Sequence, residues 1–63
     1  MNNGGFYVFS NSGASRVYIA RDGGLTPDLG EADVTSEDIA DDLCAWAVKE
    51  FDMPFDIAPA TND

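Results

Sequence analysis

The stretch TSEDIADDLCAWAVKEF, residues 35–51, decides the fold because it predicts a single amphipathic helix. At 100° per residue, Cys44 and Trp46 flank an apolar face. That face consists of Ile39, Ala40, Leu43, Ala47 and Phe51. The opposite face consists of Asp38, Asp41, Asp42, Ala45 and Lys49. We therefore expect a helix over about residues 36–51 that packs on the rest of the chain through its apolar face.

Signals for the two helix ends lie beside this stretch. Thr35 is suited to the N-cap, because its hydroxyl can accept a hydrogen bond from the backbone N–H of Asp38. Val34 and Ile39 have the spacing of a hydrophobic staple around that cap. Pro54 disfavours helical backbone in the residue before it, so the helix should end near residue 51.

Two β-rich runs precede the helix, FYVFS at residues 6–10 and RVYIAR at residues 16–21. The residues between them, 11–15, are Asn, Ser, Gly, Ala and Ser, which favour a turn and hence a hairpin. Residues 25–32 should form a loop, with Leu25 and Leu29 against the core and a weakly signalled third strand around Leu25.

Beyond the helix, Phe55 and Ile57 have the alternation of a last short strand, with both side chains pointing inward. Residues 59–63 should fray. The 63 residues therefore predict one domain, residues 1–63, of the α+β class. A small antiparallel sheet would pack on the helix, in the order β-β-α-β.

Charge is the unusual feature of the composition. Twelve acidic residues face Arg16, Arg21 and Lys49, which gives a net charge of −9. Such a surface repels phosphates, so we expect neither nucleic acid nor a membrane as a direct partner, and a basic protein surface instead. The N-terminal residues lack a basic and apolar leader, so we expect a cytoplasmic protein, and a monomer.

The chemistry of catalysis is poorly represented. The chain has no histidine, and Cys44 is its single cysteine, so the usual acid–base and zinc arrangements are missing. The glycine pairs fit neither a phosphate loop nor a dinucleotide fingerprint, and the acidic run lacks the register of a calcium loop. We expect no enzyme, no cofactor and no metal site.

Residues 28–42 contain seven acids and no base. These are Asp28, Glu31, Asp33, Glu37, Asp38, Asp41 and Asp42. Acids in the first helical turn favour the helix dipole, but Asp42 lies beyond it and repels Asp38. A solvated face, or a source rich in salt, would account for the run. So would a carboxylate array built for a basic partner, with Trp46, Tyr7 or Tyr18 as aromatic contacts at its edge.

The short chain, its dense acidic helix and its β-β-α layout resemble the small phage-encoded anti-CRISPR proteins, within the wider group of DNA mimics. Several of these occupy the basic DNA-binding surface of a Cas subunit. The resemblance implies an inhibitor of a type I system that acts without catalysis. The seven acids would contact Lys and Arg where a Cascade-like complex reads target DNA.

A second resemblance is local. The segment RDGG…TPDLGEADVTSEDIADDLCAWA is similar to antitoxin half-domains of the HicB type, which have a strand, a glycine turn, a Pro-Asp-Leu segment and a Thr-capped acidic helix. Pro27-Asp28-Leu29-Gly30, Thr35 and Ala40 fit this pattern. It implies neutralisation of a small basic toxin. A plain acidic adaptor domain is the third alternative.

Overall fold

A computed structural model describes residues 5–11 and 15–60. Within them, the strands are β1 (Phe6–Ser10), β2 (Val17–Ile19), β3 (Leu25–Thr26) and β4 (Asp56–Pro59), and the helix α1 is Glu37–Phe51. A 3-10 turn, Leu29–Glu31, precedes α1. The predicted α+β class, the hairpin strands and the C-terminal strand are confirmed. The third strand around Leu25, which the sequence left open, is present as β3, so the order is β-β-β-α-β instead of the predicted β-β-α-β. The predicted turn at residues 12–14 lies outside the described residues.

The strands form one antiparallel sheet in the order β3-β2-β1-β4, with α1 packed against it. β1 is central because aromatic and β-branched residues dominate FYVFS, and such residues suit a strand paired on both sides. It pairs with β2 through Phe9 and Tyr18, and with β4 through Val8 and Ile57. Alternation along β1 sends Val8 toward α1 and Tyr7 to the other face of the sheet.

The core lies between α1 and the sheet. Ala40 and Ala47 are fully buried on α1 and belong to one cluster with Val8, Ile19 and Phe55. The small side chains of Ala40 and Ala47 allow the helix backbone to lie close to the sheet. Larger side chains pack around this contact, and they are Phe6, Leu43, Cys44, Phe51, Met53 and Ile57.

The helix begins one residue later than predicted. Thr35 and Phe6 exchange two backbone hydrogen bonds, so Thr35 belongs to a β-bridge, and Ser36 is the N-cap. The first helical bond runs from the Ala40 N–H to the Ser36 carbonyl, at 2.8 Å. The prediction of Thr35 as N-cap is therefore wrong, because pairing with β1 holds Thr35 outside the helix.

Three apolar side chains predicted to be inside are exposed. Ile39 is 58% exposed, and Val34 is also exposed. Because the N-cap is Ser36, the staple positions are Thr35 and Ala40, so the predicted staple of Val34 with Ile39 is wrong. Leu25 and Leu29 are also exposed and do not anchor the loop. Ala32 does so instead: it is buried and forms a β-bridge with Ala20.

The chain leaves α1 through Asp52, which has φ 55° and ψ 43°. Aspartate tolerates this left-handed conformation better than most residues, because its short polar side chain can hydrogen-bond locally. Phe55 is then buried and β4 follows, with Pro59 paired to Phe6. The Ala60 N–H donates to the Gly5 carbonyl at 2.8 Å. The prediction that residues 59–63 fray is therefore wrong for Pro59 and Ala60. Residues 61–63 lie outside the described part of the chain.

Among the described residues, the helices are too short or too polar to cross a membrane.

Candidate functional site

Four of the seven predicted site residues lie together on the first half of α1. They are Glu37, Asp38, Asp41 and Asp42, and all four are exposed. We call this set the acidic helix face. Its orientation follows from the core, because burial of Ala40 and Ala47 turns the opposite side of the helix to solvent.

Helix geometry sets the spacing of these carboxylates. At a rise of 1.5 Å per residue, Asp38 and Asp41 are about 4.5 Å apart along the axis, and Asp38 and Asp42 about 6 Å. Glu37 and Asp38 lie in the first turn, where negative charge favours the helix dipole. Asp42 lies beyond that turn, where it repels Asp38 by a few tenths of a kcal/mol. The packed core tolerates this repulsion.

The other three predicted residues lie before the helix. Asp28 caps the 3-10 turn, where its Oδ1 accepts a hydrogen bond from the Gly30 N–H at 3.0 Å. Glu31 ends the same turn and is exposed. Asp33 is half-buried, and its backbone N–H donates to the Ile19 carbonyl at 2.9 Å. These acids continue the run along the chain, but they lie on different elements from the acidic helix face.

Basic side chains are largely separate from the acidic helix face. The Arg16 guanidinium lies over the Phe9 ring, 4.5 Å from its centroid, and its Nε donates to the Asn11 Oδ1 at 3.0 Å. Arg21 follows β2 and is exposed. Lys49 lies in the last turn of α1, seven residues or about 10.5 Å beyond Asp42. The first half of the helix thus carries four acids and no base.

Of the three aromatic candidates, Trp46 is the most exposed, at 41%. Tyr7 is buried at 9% exposure and makes an edge-on contact with Tyr18, with the ring centroids 5.5 Å apart. The sequence reasoning missed Ile39, which is exposed beside the acids. The sequence carried no signal for this exposure, because it follows from the burial of Ala40, which lies about 100° around the helix from Ile39.

A separate cleft of about 210 Å³ opens where β1 meets the segment before β4. Its lining residues are Phe9, Ser10, Asn11, Pro54, Phe55 and Asp56. The Ser10 hydroxyl is buried and has no hydrogen-bond partner within the described residues.

The thiol of Cys44 is half-buried and packs against the core cluster. Burial, followed by the negative charges of Asp56 and Asp41, raises its pKa. A thiol held in the neutral form is a weak nucleophile. Among the described residues, the acids and the cysteine form no group of three or more that could hold a metal ion.

The arrangement therefore suits binding by charge and shape. Exposed carboxylates on a helix can attract and orient a basic surface. No protein-family model, curated protein or solved structure shows a significant match to this chain.

Proposed function

We propose that this protein is a non-enzymatic inhibitor that acts as a negatively charged DNA mimic. The acidic helix face occupies the basic DNA-binding surface of a subunit in a type I CRISPR-Cas surveillance complex, in the cytoplasm of a bacterial host cell. Target DNA is then excluded. The observation that carries this proposal is the set of four exposed carboxylates within six helical residues.

The spacing of the carboxylates supports mimicry. Phosphates along one DNA strand repeat at about 3.4 Å of axial rise, and the backbone path is longer. Asp41 and Asp42 lie about 4.5 and 6 Å beyond Asp38 along the helix axis, so the interval from Asp38 to this pair is similar to the interval between phosphates. A groove of Lys and Arg built for phosphates can pair with such an array. The net charge of −9 also speeds the encounter with a basic surface at low salt.

The energetic cost of the array supports a role beyond stability. Lysine in place of Asp42 would turn a repulsive pair with Asp38 into an attractive one. A chain selected for stability alone would gain from that change. The presence of aspartate at position 42 therefore supports a partner that recognises negative charge.

Neutralisation of a small basic toxin is the second candidate. The order of β2, a glycine turn, a Pro-Asp-Leu segment and an acidic helix favours it, because this order resembles that of the HicB-type half-domains. Thr35 departs from their pattern, since it bridges to Phe6 instead of capping the helix. The same carboxylates would contact the toxin, so the two candidates differ in partner and not in site.

A gel shift tests the first candidate. A type I surveillance complex binds its labelled target duplex with and without the wild-type protein and the triple variant Asp38→Asn, Asp41→Asn, Asp42→Asn. The matched control is Asp22→Asn, Asp52→Asn, Asp56→Asn, which removes the same charge from exposed positions outside the acidic helix face. Asparagine can keep the turn bond that Asp22 accepts from Gly24, and it tolerates the left-handed backbone at position 52.

We expect the wild-type and control proteins to block duplex binding and the helix variant to fail. If both triple variants block duplex binding less than the wild-type protein and to the same extent, total charge and not the acidic helix face determines blocking. If the wild-type protein leaves the duplex bound, DNA competition fails for that complex. Co-purification with one small basic protein would then favour the toxin candidate.

A further inference from the structure

Two large apolar side chains on α1 face solvent on the same side. Ile39 is 58% exposed and Trp46 is 41% exposed. Seven residues separate them, which places them within about 20° of each other around the helix and about 10.5 Å apart along it. We call this pair the apolar ridge. DNA mimicry by charge alone does not require it.

Trp46 is held in place by an aromatic series that leads to the core. Its ring meets Phe51 edge-on, with the centroids 5.8 Å apart and an interplanar angle of 86°. Phe51 in turn contacts Phe55, at 6.0 Å between centroids, and Phe55 belongs to the buried cluster. A tryptophan that is already positioned loses little conformational freedom on binding, which is a property of interface hot spots.

Carboxylates flank the ridge. Asp42 lies three residues after Ile39 and four before Trp46, so its side chain neighbours both. Glu50 lies four residues after Trp46, and Lys49 is the nearby base among the described residues. A second copy of this chain would bring carboxylates against carboxylates. A partner with an apolar recess bordered by Lys and Arg would complement both the ridge and its surroundings.

We propose that the apolar ridge docks into an apolar recess on the same basic protein surface that the acidic helix face contacts. This inference rests on the proposed function and specifies the partner more closely. The acids accelerate association, and burial of Ile39 and Trp46 slows dissociation. Binding therefore weakens with salt but persists at ionic strengths that remove a purely electrostatic complex.

Two synthetic probes separate charge from apolar contact. One is a fluorescein-labelled peptide with leucine and lysine at helical spacing, which presents an apolar stripe bordered by cations. The other is a lysine homopolymer of equal charge and label. Anisotropy gives the affinity of each probe. Trp46 is the single tryptophan, so its emission reports directly on burial of the ridge.

We expect the amphipathic peptide to bind at least tenfold more tightly than the homopolymer and to shift the Trp46 emission to shorter wavelength, since burial of an isoleucine and a tryptophan exceeds that factor. Ile39→Ser should weaken the amphipathic peptide about tenfold. The matched control is Val48→Ser, because Val48 is 40% exposed on the other side of α1. It should change the affinity by less than about twofold.

Equal affinities for the two probes without an emission shift, or no binding of either, would overturn the ridge proposal. So would equal effects of the two serine variants. Sedimentation of the wild-type protein at the same concentration should show a monomer, and a dimer lost in Ile39→Ser would assign the ridge to self-association. The gel shift tests the proposed function separately. If the protein blocks duplex binding but binds both probes equally, the ridge proposal fails and the proposed function stands. If it prefers the amphipathic peptide but does not block duplex binding, the CRISPR partner is wrong and the ridge proposal stands.

Discussion

Phe6 and Thr35 exchange two backbone hydrogen bonds, one of 2.6 Å from the Phe6 N–H and one of 2.9 Å from the Thr35 N–H. This bridge attaches the start of the central strand to the residue before the helix N-cap. It therefore determines where α1 begins.

Gly5 lies beside this bridge, and substitution by alanine should be costly. A Cβ there would lie 2.5 Å from the Val34 Cγ1 and 3.0 Å from the Thr35 carbonyl oxygen. We expect Gly5→Ala to lower the free energy of unfolding by about 1–3 kcal/mol, as overpacking does. Urea unfolding followed by circular dichroism measures this. Gly30→Ala is the control, because its Cβ would meet only the Asp28 side chain. Wild-type stability of Gly5→Ala would show that the bridge can relax.

Close packing of α1 on the sheet predicts a difference between two alanines. Ala47 is fully buried, whereas Ala45 is exposed on the opposite side of the helix. Ala47→Leu should destabilise the fold by about 1–3 kcal/mol. Ala45→Leu should stay within about 0.5 kcal/mol of wild type. Thermal unfolding compares them, and similar melting temperatures would contradict the helix orientation described above.

Charge reversal in the acidic helix face should stabilise the fold. Asp42→Lys replaces a repulsive contact with Asp38 by an attractive one four residues apart, which should add about 0.2–0.5 kcal/mol at low salt. The gain should shrink in 1 M NaCl, where the screening length is about 3 Å. Urea unfolding at the two salt concentrations tests this. A gain that is independent of salt would indicate a cause other than charge.

Removal of the buried Ser10 hydroxyl should be neutral or stabilising. This oxygen is buried without a partner in the described structure, and an unsatisfied polar group costs about 1–3 kcal/mol. We expect Ser10→Ala to raise the free energy of unfolding by up to about 1 kcal/mol. The exposed Ser15→Ala serves as the control in the same urea titration. A marked loss of stability would mean that the hydroxyl is hydrogen-bonded in solution.

Burial and the charges of Asp56 and Asp41 raise the pKa of Cys44, which predicts its reactivity. The folded thiol holds its proton more tightly than the unfolded thiol, whose pKa is about 8.5. Its contribution to stability is therefore complete below that pH and is lost as the pH rises through the folded pKa. Alkylation by iodoacetamide should accelerate at higher pH in the folded protein than in urea, and Asp56→Asn should reduce the difference. A lower inflection in the folded protein would contradict this.

Local pattern was sufficient to predict most elements. β1 occurs at the predicted residues 6–10, and the helix ends at Phe51 as expected. These predictions depend on propensity and periodicity over neighbouring residues, which act before any tertiary contact forms. The prediction of Thr35 as the N-cap failed because it depends on a long-range contact: Thr35 pairs with a strand 29 positions earlier in the chain.

For the candidate site as well, one part could be predicted from the local sequence and another part depended on tertiary contacts. The sequence by itself determined that α1 is amphipathic and that its acids oppose its apolar face, because both follow from a 3.6-residue period. Only the tertiary structure decided which apolar residues are buried. The sheet contacts the helix along the line of Ala40 and Ala47, which leaves Ile39 and Trp46 at the edge of the contact and exposed. That outcome depends on how closely two surfaces approach, and helical periodicity does not contain this information.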